Sequence, residues 1–385
     1  MICKVREITA DILPSIIRLR HSIHSEPEIG LGTVGTRQKV ADALRNTSLE
    51  AWPSLMGGDF IAELKGRSKR VMCLRADMDA LPIEERTGVP YSSTIPGAMH
   101  ACGHDGHTAI LVGAARVLNE LREHLPVTVR FVFQPGEEVE CGGKTLVELG
   151  CCDNAEAAFA LHGWPGLPTG QISSRPGALF AAAAQFSIRL TGKGCHGATP
   201  EKGINPIPAA AWVVHRLGEL HLALNSRDGS VISVCSIDSG RSSNIVPDEA
   251  VIRGTTRYLD DEAGMHIERT IGEVVSEVSR KFMVKAEMEY DKRYRLPVMN
   301  STKGFEYVSK TAKHFFPSGT WAEASRPTMV CEDFAFYLEN REGAAFFLGL
   351  GQDWPGLHTQ EYDFNDAVIE SGIHMFSFLA LGYEI

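Results

Sequence analysis

The sequence predicts an α/β protein: a mostly parallel sheet with helices on both faces, interrupted by an inserted ferredoxin-like α+β unit. Three observations carry this. Over both flanks of the chain, short apolar runs alternate with segments of helical period. Residues 180–294 break that rhythm with the order β-α-β-β-α-β. The length, 385 residues, exceeds what one hydrophobic core supports, so two domains are expected.

The elements follow in chain order. Val5, Ile8, Ile12, Ile16, Leu19 and Ile23 recur at helical spacing and predict an amphipathic surface helix. Residues 71–74 read as a buried strand followed by a long polar loop. Residues 106–121 read as a helix, with Ile110, Leu111, Ala114, Val117, Leu118 and Leu121 on one face. A strand at 127–133, a short helix at 144–149 and a strand at 157–161 complete the first flank. Residues 185–190 and 231–237 alternate apolar and polar, 250–258 and 284–290 are strand-like, and 206–220 and 262–282 have helical period. A strand at 345–350 and a helix at 365–381 close the chain. The expected organisation is therefore one α/β domain in two pieces, 1–179 and 295–385, split by the insertion 180–294.

Composition narrows the class. Apolar residues are 44% and charged residues 22%, an ordinary globular balance. A net charge of −10 without a basic run argues against a nucleic-acid partner. No stretch is long enough to span a bilayer, so no membrane partner is expected. Residues 1–26 carry charges throughout without an apolar segment, so no secretory leader is expected. Nine cysteines without regular spacing do not form a disulfide framework. A cytoplasmic location with reduced thiols is the expectation.

Open α/β sheets bind ligands at the carboxyl ends of their strands, and polar residues gather there. Residues 71–74 run into Asp77 and Asp79, and 127–133 into Gln134-Pro135-Gly136-Glu137-Glu138. Residues 157–161 run into His162, and 345–350 lead through a Gly-rich loop to His358. The loop His100-Ala101-Cys102-Gly103-His104-Asp105-Gly106-His107 opens a helix. Thiolate, imidazole and carboxylate suit zinc and its neighbours. Cys102, His104, Glu138, His162 and His358 are too many for one tetrahedral ion with an open position. They suit two divalent ions sharing a ligand, zinc foremost, with manganese, cobalt or nickel also accommodated. Of the adjacent Glu137 and Glu138, one would bind metal and the other shuttle a proton. Each residue alone has a plainer reading. Cys102 would be a small buried hydrophobe, Glu137-Glu138 a solvated turn and Asp77 a turn former. Beside the histidines, Asp77 is instead expected to orient a ligand imidazole. His107 is expected on the helix, behind the ligands.

The strings Arg75-Ala76-Asp77-Met78-Asp79-Ala80-Leu81-Pro82, Cys102-Gly103-His104-Asp105-Gly106-His107, Gln134-Pro135-Gly136-Glu137-Glu138 and Leu161-His162-Gly163-Trp164 resemble the M20 metallopeptidase family. The likeness is to its amidohydrolase branch of hippurate hydrolases, N-acyl-amino-acid amidohydrolases and auxin-conjugate hydrolases. It implies that Cys102 bridges two metals, that His104 and His162 complete one, and that Glu138 and His358 complete the other. It makes Glu137 the general acid/base and the insertion a lid and dimerisation domain, so a homodimer is expected. It places His196 in the partner subunit's active site, Asn244 on substrate, Arg257 on a substrate carboxylate, and Glu332 near the site behind the ligands. Cys195, Gln185, Gln360 and Asp59-Phe60 depart from the usual pattern and bear on substrate preference. The activity implied is hydrolysis of an N-acyl or N-aroyl amino acid, of acetyl or benzoyl type. A metal-dependent dipeptidase or carboxypeptidase is the alternative from the same site. A non-catalytic metal-binding homologue would be expected to lack Glu137, which this chain keeps.

Overall fold

The computed structural model describes residues 1–294 and 296–383. The chain divides into two compact units, each with its own apolar core. The first comprises Met1–Leu179, Val298–Pro327 and Asp333–Ile385, and the second Phe180–Pro297 and Thr328–Glu332. The boundary expected at 294/295 touches Arg295, outside the described residues; the chain returns to the first unit at Val298. Thr328–Glu332, expected with the flanking piece, groups with the second unit.

The first unit is built on an eight-stranded sheet. Its strands are β1 (Glu50–Ala51), β2 (Phe60–Leu64), β3 (Val71–Asp77), β4 (Thr128–Gln134), β5 (Ala155–Pro165), β6 (Ile172–Ser174), β14 (Trp321–Glu323) and β16 (Glu342–Gly351). They lie in the order β1-β2-β4-β3-β5-β16-β6-β14. The central run β4-β3-β5-β16 is parallel throughout. Every residue of β3 and β4 is buried, which is why these strands read as near-continuous apolar runs. The helices are α1 (Ile2–His24), α2 (Val34–Leu44), α3 (His104–Glu120), α4 (Glu137–Glu140), α5 (Gly142–Glu148), α8 (Thr302–Phe315), α9 (Ala335–Leu338) and α10 (Ile369–Leu381). The sheet is covered chiefly by α3, whose Ile110, Leu111, Ala114, Val117 and Leu118 are fully buried. Against α3 pack α1 and α10.

The second unit carries an antiparallel sheet in the order β12-β7-β11-β9. These strands are β7 (Gly177–Thr191), which enters from the first unit, β9 (Val231–Ser239), β11 (Glu249–Tyr258) and β12 (Lys285–Tyr294). Strand β15 (Thr328–Cys331) joins β7 in parallel at Phe180 and Ala181, which is what draws this late segment into the second unit. Helices α6 (Pro206–Asp228) and α7 (Asp261–Phe282) bury Val213, Leu217, Ile267, Ile271 and Val278 with Ile188, Leu190 and Ile252 of the sheet. A separate ribbon pairs β8 (Cys195–His196) with β10 (Ile245–Val246). The remaining strand is β13 (Val298–Asn300).

Sequence and structure differ locally in three ways. Strand β5 extends to Pro165, so His162 lies within it rather than beyond its end. Helix α3 starts at His104, two residues before the first apolar-periodic position, because Gly103 supplies the turn. Helices α2 and α8 were not singled out by periodicity. No described helix is long and apolar enough to cross a membrane.

Candidate metal centre

The centre is assembled at the carboxyl ends of β3, β4 and β5. Gly103 takes a left-handed φ of 85° and turns the chain from Cys102 into α3, so that His104 is its first residue. A side chain at Gly103 would also collide with the Tyr362 hydroxyl, 2.5 Å from where its Cβ would stand. Gly136, φ 69°, makes the same turn after β4 and puts Glu137 and Glu138 on the first turn of α4. His358 is left-handed as well, φ 62°, an uncommon conformation for a residue with a Cβ. Its N–H donates to the Ala101 carbonyl at 2.8 Å, which ties this late loop to the one carrying Cys102.

Local hydrogen bonds set which imidazole nitrogens are open. His104 Nδ1 donates to the Asp79 backbone carbonyl at 2.8 Å, and His162 Nδ1 donates to the Gly163 carbonyl at 2.8 Å. A carbonyl only accepts, so both rings carry their proton on Nδ1 and present Nε2 inward. His162 Nε2 lies 3.5 Å from Cys102 Sγ. His104 Nε2 lies 3.8 Å from Glu138 Oε1, and His358 Nε2 lies 3.2 Å from the same oxygen. The donor atoms of Cys102, His104 and His162 lie within 4.8 Å of one another, as do those of Cys102, Glu138 and His358. Cys102 is common to both triads. His358, with its side chain 48% exposed, marks the solvent side, whereas Cys102, His104 and His162 are buried.

Charge and satisfaction both fit a pair of cations. His104 Nε2 and Glu138 Oε1 are buried without a hydrogen-bond partner in the protein, an expensive arrangement unless a ligand takes their lone pairs. Burial and the neighbouring Glu138, Glu137 and Asp77 push the Cys102 thiol well above its usual range. Burial disfavours charge on His104, yet Asp77, Asp79 and Glu138 outweigh it and raise its pKa to about 10. This crowd of acceptors, held together only by protons, is the setting that a bound divalent ion inverts.

Asp79 and Arg75, which sequence reading did not assign to the site, organise it from behind. The two carboxylate oxygens of Asp79 accept the N–H groups of Glu137 and Glu138, each at 3.0 Å. Asp77, expected to orient a ligand histidine, accepts instead from His107 Nδ1 at 2.7 Å, and its other oxygen stands 3.7 Å from His104 Nε2. Burial opposes ionisation of Asp77, but His104, Arg75 and His107 hold it well below the usual carboxylate range. The buried Arg75 guanidinium donates to Asp77 at 2.6 Å, to Asp333 at 2.8 Å and to Gln134 at 2.9 Å. Asp333 in turn donates its backbone N–H to Glu137 Oε1 at 3.3 Å. A buried arginine in an otherwise apolar strand must be paired, which was the available signal for this network.

The other expected residues lie in the second unit. The β8–β10 ribbon sets His196 opposite Ile245, and Gly197 N–H donates to the Asn244 carbonyl at 2.8 Å, so His196 and Asn244 are neighbours. His196 is exposed, and its Nδ1 accepts from Ala198 N–H at 3.0 Å, which leaves the neutral ring's proton on Nε2. Arg257 stands near the far end of β11, with Nη1 donating to Thr255 Oγ1 and to the Thr256 carbonyl. Glu332 is buried just after β15.

A model of the Peptidase family M20/M25/M40 matches residues 73–381. N-acetylcysteine deacetylase of Bacillus subtilis (strain 168) is 33% identical over 374 residues, covering 95% of this chain and 96% of the relative. Hippurate hydrolase of Campylobacter jejuni is 32% identical, with 97% of each covered. Among solved structures, a putative aminohydrolase from methicillin-resistant Staphylococcus aureus superposes with a TM-score of 0.91 at 27% identity over 100% of both chains. The Bacillus subtilis YXEP protein, a dinuclear metal-binding peptidase of family M20, gives 0.85 at 30% identity over 97% of this chain and 98% of that one. The chain is accordingly an enzyme, a metal-dependent hydrolase of amide bonds. It belongs to peptidase family M20/M25/M40, in the amidohydrolase branch.

Proposed function

We propose that the chain cleaves the amide bond of N-acyl amino acids, of acetyl or benzoyl type, to a carboxylate and a free amino acid. The observation that carries the reading is Cys102 shared by two donor triads, with Glu137 beside Glu138 on one helical turn. The relatives named for N-acetylcysteine and hippurate point to the same substrate class. Cys102, His104 and His162 would hold one ion, and Cys102, Glu138 and His358 the other. Zinc is the expected metal, and manganese, cobalt or nickel suits the same donors. When bound, such a pair polarises a carbonyl and lowers the pKa of water to about 7.

The chain's own residues do the rest. Glu137 takes the proton from the attacking water and returns it to the leaving nitrogen, so the amine departs neutral. The Asp333 N–H and the Asp79 clamp fix where that carboxylate stands. Asp77 and Glu332 act behind the ligands as positioning residues. Arg257 and Asn244 bind the substrate's carboxylate end. His196, with its proton on Nε2, donates to the oxygen that gains negative charge. In this reading the protein is a cytoplasmic homodimer joined through 180–294, and His196 serves the partner's site.

The test is amino-acid release from acetyl-, benzoyl- and dipeptide substrates, each with and without chelator. Release from the acylated substrates that chelation abolishes is expected. Turnover of dipeptides alone would replace the reading with a dipeptidase.

A further inference from the structure

His107 has no part in the mechanism above, yet it is fully buried and both its ring nitrogens are engaged. Strand β3 pairs with β5 only as far as Arg75 opposite Ala160, while β5 continues to Pro165. The Gly163 N–H lies beyond that last pair and donates to His107 Nε2 at 2.8 Å. An imidazole from α3 therefore stands where the next strand's carbonyl would be. A backbone N–H can only donate, so Nε2 is the bare nitrogen and the proton is on Nδ1, facing Asp77 Oδ1 at 2.7 Å. Asp77 is held by Arg75 at 2.6 Å. On its other side Gly163 accepts the His162 ring N–H through its carbonyl, at 2.8 Å. The rings of His107 and His162 also meet edge to face, with centroids 4.7 Å apart.

We propose that His107 is a positioning residue, a neutral Nδ1-protonated imidazole that pins the end of β5 and so fixes the ring of His162 for metal. It replaces a missing strand partner with a directional side chain anchored through Asp77 to Arg75. The proposal rests on the reading of His162 as a ligand. Partners behind a ligand typically set metal affinity within about 10–100-fold.

The experiment compares His107→Asn, His107→Gln and His162→Ala by Zn2+ binding against a competing chelator, with ring nitrogen NMR on the unaltered protein. Asn keeps a donor near Asp77 but is too short to accept from Gly163, whereas the Gln amide oxygen reaches it. His107→Asn is expected to bind one of its two ions about 10–100-fold more weakly, and His107→Gln to recover most of that loss. NMR is expected to show a protonated Nδ1 and a bare Nε2. Native-like Zn2+ affinity in His107→Asn, or no recovery in His107→Gln, overturns the proposal, as does a proton on Nε2. Should His107→Asn fail to fold, the NMR result decides alone. If His162→Ala keeps both ions, the reading of the metal centre itself has failed. If it loses one while His107→Asn loses none, only the role of His107 falls.

Discussion

The Asp79 backbone carbonyl accepts the His104 Nδ1 proton at 2.8 Å, so one short segment after β3 settles which nitrogen of a candidate ligand is open. The same residue's carboxylate holds the N–H groups of Glu137 and Glu138. Asp79 thereby couples the proton shuttle to both sets of donors. Asp79→Asn keeps the carbonyl and one acceptor oxygen but turns an amide N–H toward a backbone N–H. Stability is expected to fall by about 1–3 kcal/mol, as for a buried donor left unpaired. Turnover is expected to fall further than this destabilisation explains. Kinetics and elemental analysis of the folded variant check it, and native turnover would refute it.

Glu137→Gln and Glu138→Gln separate the two carboxylates. The first is expected to keep its metal and lose about 10²–10⁴-fold in kcat, the usual worth of a general acid–base. The second is expected to lose metal. Metal content measured beside kcat distinguishes them, and the reverse pattern would exchange the two roles.

Stability should respond to alkaline pH through His24. Burial opposes its charge, but Asp105 at 2.9 Å and Glu85 at 3.3 Å face its two nitrogens and raise its pKa to about 10. A raised folded pKa means the contribution is complete below the unfolded value of about 6.5 and is lost as pH climbs toward 10. The urea midpoint of the native protein should therefore drop more between pH 6.5 and 9.5 than that of His24→Gln. Parallel midpoints across that window would refute the assignment.

Subunit mixing tests the dimer and the role of His196 together. His196→Ala and Glu137→Gln are each expected to lose most activity, with about 10²–10³-fold attributable to the lost donor. After exchange, one site of a mixed dimer would combine an intact Glu137 with the partner subunit's intact imidazole. Activity should reappear. Verified exchange without recovery would exclude the role in trans.

Much of the chemistry was legible in the sequence because it resides in residue type and order. The apolar runs at 71–74, 127–133 and 157–161 mark buried parallel strands, and Cys102, His104, Glu138 and His162 follow from what stands at or near their carboxyl ends. The period change at 180–294 marks a second unit because alternation and helical spacing are local signals. What the tertiary structure decided is contact between distant segments. Asp79 reaches Glu137 and Glu138 across 58 and 59 residues, and Arg75 reaches Asp333 across 258. Thr328–Glu332 belongs to the second unit because β15 finds β7. His107 engages Gly163 because β3 stops pairing before β5 ends. Spacing along a chain reports the period of one element, whereas the buried hydrogen bonds that orient ligands depend on where the chain returns.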